Sequence, residues 1–149
     1  MSKFRLIAKI IELSESNEWE LAKLEWELED IYEDDPSTCI CGHYPIVEHC
    51  VLRNSVNWDR AIVGNCCVKR FMGLPSNKIF DGIKRVRNDP TKALNEAAIY
   101  FAANRKWLSD WEKEFCMDTK SKRVLSPRQM FTRKNINQKV LEKFAQKPG

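Results

Sequence analysis

The feature that most constrains this chain is a dense group of cysteines and histidines between Thr38 and Phe71. The segment reads TCICGHYPIVEHCVLRNSVNWDRAIVGNCCVKRF, and it holds five of the six cysteines and both histidines. Sulfur and imidazole at this density, with turn-forming glycines beside them, are typical of a metal site and not of an ordinary hydrophobic core. The sequence therefore predicts a small protein organised around a metal ion, for which zinc is the expected metal.

Length and composition are consistent with a hydrophobic core and a location inside the cell. The chain has 149 residues, of which 43% are hydrophobic, which is enough for one ordinary domain. No apolar run reaches the length of a membrane-spanning helix, and the N-terminus lacks the layout of a signal peptide. We therefore expect a cytoplasmic protein. In that reducing compartment, clustered cysteines are more often metal ligands than disulfides.

Three cysteines have the spacing expected of zinc ligands. Zinc takes four ligands at the corners of a tetrahedron, and thiolates and imidazoles are its usual ligands in structural sites. Cys39 and Cys41 flank a single residue and precede Gly42, which permits a turn that points both sulfurs at one ion. Cys67 lies at a predicted helix start, where free backbone amides and the helix dipole favour a thiolate.

The fourth ligand is left open by the sequence. Cys50 is the first choice, because on a strand it shares one face with Leu52 and Asn54 and reaches the ion if that face points inward. Four thiolates would close the coordination shell, so we expect one structural zinc ion and not a catalytic one. Cys116 is distant in sequence and is expected to be a small buried hydrophobe. The other candidates for the fourth position are Cys66, His43 and His49.

The zinc ligands fall on a predicted β-hairpin and on the short helix that follows it. Ile46–Asn54 and Asp59–Val63 have the composition of two strands, which residues 55–58 would connect. Asn65 is placed to cap a short helix from Cys66 to Met72. A cysteine knuckle, a hairpin and a helix that returns a cysteine is the layout of a treble-clef zinc finger.

Helices are predicted on both sides of this hairpin. Apolar spacing favours one helix over residues 4–11 and an acidic second helix over residues 19–31, which Pro36 would stop. The fold class expected from these patterns is α+β, mostly α, with a treble-clef-like zinc-binding β-hairpin flanked by N-terminal and C-terminal helices. Capping residues mark the expected starts of four more helices: Ser76, Asp89 (followed by Pro90), Ser109 and Ser126.

Charge is distributed unevenly along what we expect to be a single domain of residues 1–149. The expected parts are an acidic helical segment (1–35), a zinc-binding module (38–72) and a helical region (76–146) that ends in a basic helix. The acidic segment carries eleven acidic and four basic side chains, whereas residues 119–149 carry nine basic side chains and one acidic. The resulting net charges of −7 and +8 indicate that the two ends present different surfaces.

The cysteine-rich segment contains three motifs, which read CICGHYPI, HCVLRN and VGNCCVKRF. Together they resemble a widespread, mostly uncharacterised family of small zinc-finger proteins of phages, prophages and bacterial mobile elements. The flanking motifs WELAKLEWELEDIY, DWEKEF, LSPRQ and KNINQKV extend the resemblance over most of the chain from Glu18 onward. The resemblance implies a structural zinc module with helical flanks in the host cytoplasm, and it implies no activity. The closest matches are Cys39, Cys41, Gly42, Cys50, Asn54, Gly64, Cys67 and Phe71.

Basic residues predict nucleic acid as the first candidate partner. Lysine and arginine neutralise phosphates and release counterions, and exposed aromatic rings such as Tyr44, Trp58 or Trp107 can stack on bases. Further basic residues occur at 84–87 and 120–123. The cationic residues that we select as candidate nucleic-acid contacts are Lys69, Arg70, Arg128, Arg133, Lys134 and Lys139.

A host protein complex is the alternative partner. A rigid zinc core with acidic or aromatic surfaces could dock on a host protein, for example a defence complex, and inhibit or redirect it. The interface candidates would then be Trp19, Trp26 and Trp111. Aromatic residues at helical spacing, however, more often face a core. The chain has no nucleophile elbow, phosphate loop or zinc-protease helix motif. We therefore expect a non-enzymatic binding protein with no membrane partner and no small-molecule substrate.

Overall fold

The fold is α+β and mostly helical, as the sequence predicts. It was analysed as a computed structural model that describes residues 3–144. None of the helices in this range is both long and apolar enough to cross a membrane. In chain order the elements are α1 (Lys3–Glu12), α2 (Trp19–Ala22), β1 (Trp26–Ser37), β2 (Ile46–Asn54), β3 (Arg60–Gly64), α3 (Asn65–Cys67), α4 (Ser76–Asn88), α5 (Glu96–Asn104), α6 (Asp110–Thr119) and α7 (Pro127–Phe144).

The chain divides into two compact units with a boundary between Ser76 and Asn77. The first unit contains α1 to α3 and the sheet, and the second contains almost all of α4 together with α5, α6 and α7. This boundary coincides with the expected start of the helical region at residue 76. The last two residues of that predicted region, 145 and 146, lie outside the described part of the chain. That residues 1–149 form one domain remains a prediction.

The first unit is built on a three-stranded antiparallel sheet in the order β1-β2-β3. The predicted hairpin is confirmed: β2 has the expected bounds, and β3 begins and ends one residue later than expected. Since β2 is the central strand, its inward side chains at Cys50, Leu52 and Asn54 are completely buried. Paired positions such as Cys50 with Val63 place the cysteine-bearing strand in the middle of this unit.

The prediction of a helix over residues 19–31 is wrong for most of its length. Only α2 and a 3₁₀ turn at Lys23–Glu25 are helical, and the chain then enters β1. The segment WELE fits a two-residue period as well as a helical one, so its apolar spacing is ambiguous. In the sheet, Arg53 pairs with Glu27 and Arg60 pairs with Glu29, so acidic residues that disfavour a strand gain partners from β2 and β3.

Local helix signals were predicted with mixed success. The capping box of Ser109 and Glu112 is confirmed, and Ser126 caps α7 in the same way through Gln129. Asn65 is the first residue of α3 and not its cap, and its side chain instead bonds to Glu48 and Ser76.

The helix predicted to start behind Asp89 and Pro90 starts later. Asp89 accepts bonds from Thr91 in a local turn, and α5 begins at Glu96 with Asn95 as its cap. A short polar turn therefore takes the place of the first helical turn that the Asp-Pro pair suggests. The resulting loop between α4 and α5, residues 89–95, becomes important in the second unit.

The second unit has its own set of buried apolar side chains. Phe80 of α4 and Phe144 of α7 meet edge to face, with 6.0 Å between their ring centres. Phe101 and Trp107 form a second edge-to-face pair at 5.5 Å. Polar side chains of α7 fix the loops: Asn137 donates to the carbonyl oxygens of Pro90 and Lys92. This helical unit therefore presents loops that are held in place by its last helix.

Candidate metal centre and basic cavity

Three buried cysteines form a group that could hold a metal ion. The Sγ atoms of Cys39, Cys41 and Cys67 all lie within 4.8 Å of one another, and all three side chains are buried. The Sγ atom of Cys67 lies 3.3 Å from that of Cys41 and 3.9 Å from that of Cys39. These separations are too long for a disulfide, whose sulfurs are about 2.05 Å apart. The three cysteines that the spacing favoured are therefore brought together as free thiols.

A tight turn positions Cys39 and Cys41. The amide of Gly42 donates to the carbonyl of Cys39, and the amide of Cys39 donates to the carbonyl of His43. Gly42 has a φ of 92°, a conformation that a residue with a Cβ rarely adopts, and the Arg5 side chain fills the space where that Cβ would lie. The glycine after the second cysteine is thus required by the turn that aims both sulfurs inward.

Hydrogen bonds favour the thiolate form of one cysteine of the group, Cys39. The bond between the Cys67 and Cys39 sulfurs, with the amides of Cys41 and Gly64, lowers the pKa of Cys39 to about 5 despite its burial. The same bond to Cys39, followed by burial, raises the pKa of Cys67. A thiolate at Cys39 is the form of the side chain that binds a metal cation.

Cys50 lies outside this group of three sulfurs. Its face of β2 points inward as expected, but its thiol meets the hydroxyl of Ser76 and is not within 4.8 Å of each of the three clustered sulfurs. Burial raises the pKa of the Cys50 thiol to about 12, and the Ser76 hydrogen bond only partly opposes that effect. The strand position that suggested Cys50 as a ligand therefore directs it elsewhere in the first unit.

The other candidates for a fourth ligand are also not part of the group. Cys66 and His43 are exposed, and the amide of His43 donates to the Cys41 sulfur at 3.4 Å. His49 is buried and stacks on Tyr32. Its Nδ1 donates to the Val47 carbonyl, which can only accept, so its Nε2 accepts from the Ser37 hydroxyl at 2.7 Å. Both ring nitrogens of His49 are thus already engaged in the first unit.

The six cations selected from the sequence differ in their accessibility. Lys69, Arg70, Arg128 and Lys134 are exposed. Lys139 is partly exposed and forms an ion pair with Glu112 at 2.7 Å. Arg133 is only 8% exposed, and its guanidinium donates to two backbone carbonyl oxygens, those of Thr91 and Thr119. Burial lowers the pKa of Arg133, since its charge lies away from bulk water. Arg133 is therefore a buried cation that links the loop between α4 and α5 to the end of α6.

The aromatic residues considered for base stacking also separate into two classes. Tyr44 and Trp58 are exposed, whereas Trp107 is buried, as is Trp26, which was predicted as a protein-interface candidate. Trp58 lies in the β2–β3 connection, with the Arg53 guanidinium 4.8 Å from the ring centre. The two exposed rings remain candidates for stacking, and the two buried rings belong to hydrophobic packing.

A basic cavity of about 380 Å³ lies in the second unit. Its walls come from α4, from the loop between α4 and α5, from the loop between α6 and α7, and from α7 itself. In residues 3–144, none of its basic side chains forms an ion pair with a carboxylate. The basic residues that line it, which we call the basic cavity residues, are Arg85, Lys92, Lys120, Lys122, Arg123 and Arg133.

Only some of the residues that form this cavity were predicted from the sequence. The stretches 84–87 and 120–123 were recognised as basic, and Arg133 was selected individually. Lys92 and Asn137 were missed, because their roles depend on a loop between α4 and α5 that was predicted to be helical. A polar residue on the apolar side of α7, as Asn137 is, would have been the signal to examine.

Comparisons with known proteins add no relative to this picture: no protein-family model, no curated protein and no solved structure matches the chain.

Proposed function

We propose that this chain is a non-enzymatic zinc-binding protein of phage or mobile-element type that binds nucleic acid through the basic surface of its second unit. The observation that carries the proposal is the basic cavity, in which six cations converge and none is neutralised by an ion pair within residues 3–144. Unpaired cations around a concave surface attract phosphate groups. The phage or mobile-element origin rests on the resemblance of the cysteine motifs.

Zinc is the metal that best fits the cysteine group. Bond lengths of about 2.3 Å in a tetrahedron put neighbouring sulfurs about 3.8 Å apart. The separations of 3.3 and 3.9 Å bracket this value, and soft thiolate ligands favour zinc over hard cations. Cys39, Cys41 and Cys67 would hold the ion. Its contribution would be structural: it would link the knuckle to Cys67, the last residue of α3, in a treble-clef-like arrangement with the β2–β3 hairpin between them.

Nucleic-acid binding can be tested with a salt series. For short fluorescent single- and double-stranded oligonucleotides, the logarithm of the association constant should fall linearly as the logarithm of the salt concentration rises. The variant Lys122→Gln/Arg123→Gln removes two exposed basic cavity residues from a loop, and it should reduce the slope by about 0.7 per lost phosphate contact on a single strand.

The matched control is Lys78→Gln/Lys143→Gln, which removes the same charge from exposed helix positions that do not line the cavity. It should leave the slope nearly unchanged. Absence of oligonucleotide binding at low salt, with a folded and metal-loaded protein, would contradict the proposal. Equal losses in the two double variants would mean that net charge, and not the cavity, causes binding.

A protein-binding role is the second candidate, and one observation favours it. Trp111 is 62% exposed and stacks on Phe115 at the wall of a second cavity of about 330 Å³. Glu114 and Asp118 line the same cavity, so its chemistry suits a basic segment with an apolar side chain. Retention of a host protein by the intact chain, lost in Trp111→Ala but not in Lys92→Gln/Arg123→Gln, which alters the basic cavity alone, would favour this role.

A further inference from the structure

We propose that the basic cavity binds a terminal phosphate group, either the phosphorylated end of a nucleic acid or the phosphate chain of a free nucleotide. This inference rests on the proposed nucleic-acid function and specifies which part of the ligand the cavity takes. It depends on three observations: the shape of the cavity, the number of charges around it, and the way that Arg133 and Asn137 fix its walls.

The shape favours an end over the middle of a strand. Four segments contribute to its lining, so the cavity is a concave site between elements that is partly open to solvent. Its volume of about 380 Å³ falls in the range of pockets that enclose small ligands, which is about 300–1,000 Å³. An internal phosphodiester would have to pass through the site with chain on both sides, whereas a terminal phosphate enters with chain on one side only.

The charge favours a group that carries more than one negative charge. An internal phosphodiester carries one, whereas a phosphate monoester carries about 1.5 to 2 negative charges near neutral pH. Six cations line the cavity, and five of them lie on its rim or walls with substantial exposure. Asp89, in the same loop, accepts from the amide and hydroxyl of Thr91 and also attracts Lys92, so it offsets one of these charges and leaves an excess of positive charge around the cavity.

Arg133 and Asn137, both on α7, fix the segments that line the cavity through hydrogen bonds. Arg133 donates to the carbonyl of Thr91 at 3.2 Å and to that of Thr119 at 2.7 Å; Thr91 lies in the loop between α4 and α5, and Thr119 is the last residue of α6. Asn137 donates to the carbonyls of Pro90 and Lys92 at 2.8 Å. α7 therefore holds both walls in place before a ligand arrives. The Arg133 charge faces backbone oxygens and no carboxylate, so an anion in the cavity would also compensate a buried charge.

The decisive experiment compares oligonucleotides that differ only at one end. Two fluorescent single strands of the same sequence, one with a 5′-phosphate and one with a 5′-hydroxyl, are titrated with the full-length protein at constant moderate salt. We expect the phosphorylated strand to bind at least about tenfold more tightly, which corresponds to one strong charge-assisted contact. Lys122→Gln/Arg123→Gln should abolish the difference, and Lys78→Gln/Lys143→Gln should retain it.

A competition arm separates the two sources of the phosphate. A nucleoside triphosphate that displaces the phosphorylated strand at lower concentration than the monophosphate does would point to a free nucleotide. Displacement only by a second phosphorylated strand would point to nucleic-acid ends. Either result supports a terminal-phosphate site.

Failure of this inference can be distinguished from failure of the proposed function. Equal affinities for the two strands, with a normal salt dependence, would overturn the terminal-phosphate site and leave nucleic-acid binding intact. Binding of the nucleotides without binding of either strand would overturn the nucleic-acid function and support the site. No binding of strands or nucleotides by the folded protein would overturn both.

Discussion

Asn54 and Glu25 hold the tip of the β2–β3 hairpin in place. The Asn54 side chain is completely buried; its Oδ1 accepts from the amides of Val56 and Asn57, and its Nδ2 donates to Glu25. The Glu25 carboxylate also accepts from the amides of Glu15 and Ser16. Because buried or partly buried donors lose water on folding, the removal of such an acceptor costs more than the bond itself is worth.

Replacement of Asn54 by alanine should destabilise the protein by about 2–4 kcal/mol, since it leaves two backbone amides and one side chain without their partner. Urea unfolding followed by circular dichroism measures this loss. Asn135→Ala, at an exposed position of α7, is the control and should change the free energy of unfolding by less than about 0.5 kcal/mol. Equal effects of the two substitutions would show that the hairpin tip does not depend on Asn54.

Glu25 should make stability depend on pH in the acid range. Bonds from the Glu15 amide and from Asn54 lower its pKa below the ordinary value of 4.5. The unfolded chain then takes up the proton first, so the stabilisation is complete above pH 4.5 and disappears as pH falls through the folded pKa. Glu25→Gln should therefore lower stability at neutral pH and flatten the decline in acid. A parallel decline in both proteins would exclude this role.

At the scale of elements, the cysteine group brings together two pieces of local structure. The knuckle at Cys39–Cys41 precedes β2, and Cys67 arrives at the end of α3 after β3. The knuckle and α3 are separated by the whole hairpin in sequence, so a shared cation would reduce the freedom of a long loop in the unfolded chain. The sulfurs thus connect segments that are distant in sequence.

Cys39→Ser and Cys67→Ser should each reduce bound zinc from about one ion per chain to a small fraction, because each removes one thiolate ligand. Elemental analysis of purified protein checks this. Cys116→Ser, in α6, should keep the metal, and Cys50→Ala should keep it as well, because the Cys50 sulfur lies outside the group. Loss of zinc from a folded Cys50→Ala variant would make Cys50 the fourth ligand and contradict this expectation.

At the scale of the whole molecule, the clustered cysteines and the basic cavity residues belong to different compact units. All three clustered cysteines precede Ser76, and all six basic cavity residues follow Asn77. Each unit also has buried apolar side chains of its own, for example Leu52 in the first and Val140 in the second. The proposed metal site and the proposed anion site therefore lie in separate units of one chain.

Removal of the metal by a chelator should affect the two units unequally. Amide hydrogen exchange should accelerate in β2, β3 and residues 65–72, because the cation stabilises these elements, and it should change little in α5 and α7. Mass-spectrometric detection of exchange at peptide resolution measures both regions in one sample. Equal acceleration throughout would show that the two units unfold as one.

Features that depend on neighbouring residues were predictable from the sequence. The knuckle, the β2–β3 hairpin and the capping boxes at Ser109 and Ser126 each follow from spacings of a few residues and from the turn chemistry of glycine, serine and asparagine. Three of the four proposed metal ligands follow from the same local rules, because a single-residue spacer and a helix start fix where each sulfur points.

Features that depend on distant partners required the tertiary structure. β1 replaces a predicted helix because Arg53 and Arg60 of other strands stabilise its acidic residues. The Cys50 thiol contacts Ser76, and Arg133 donates to the carbonyls of Thr91 and Thr119. Local patterns could not predict these contacts, because the partners are distant in sequence. By itself, the sequence determined the local turns and the cysteine group; only the tertiary structure decided which strands pair and which cations surround one cavity, because long-range contacts outweigh local propensity by several kcal/mol in total.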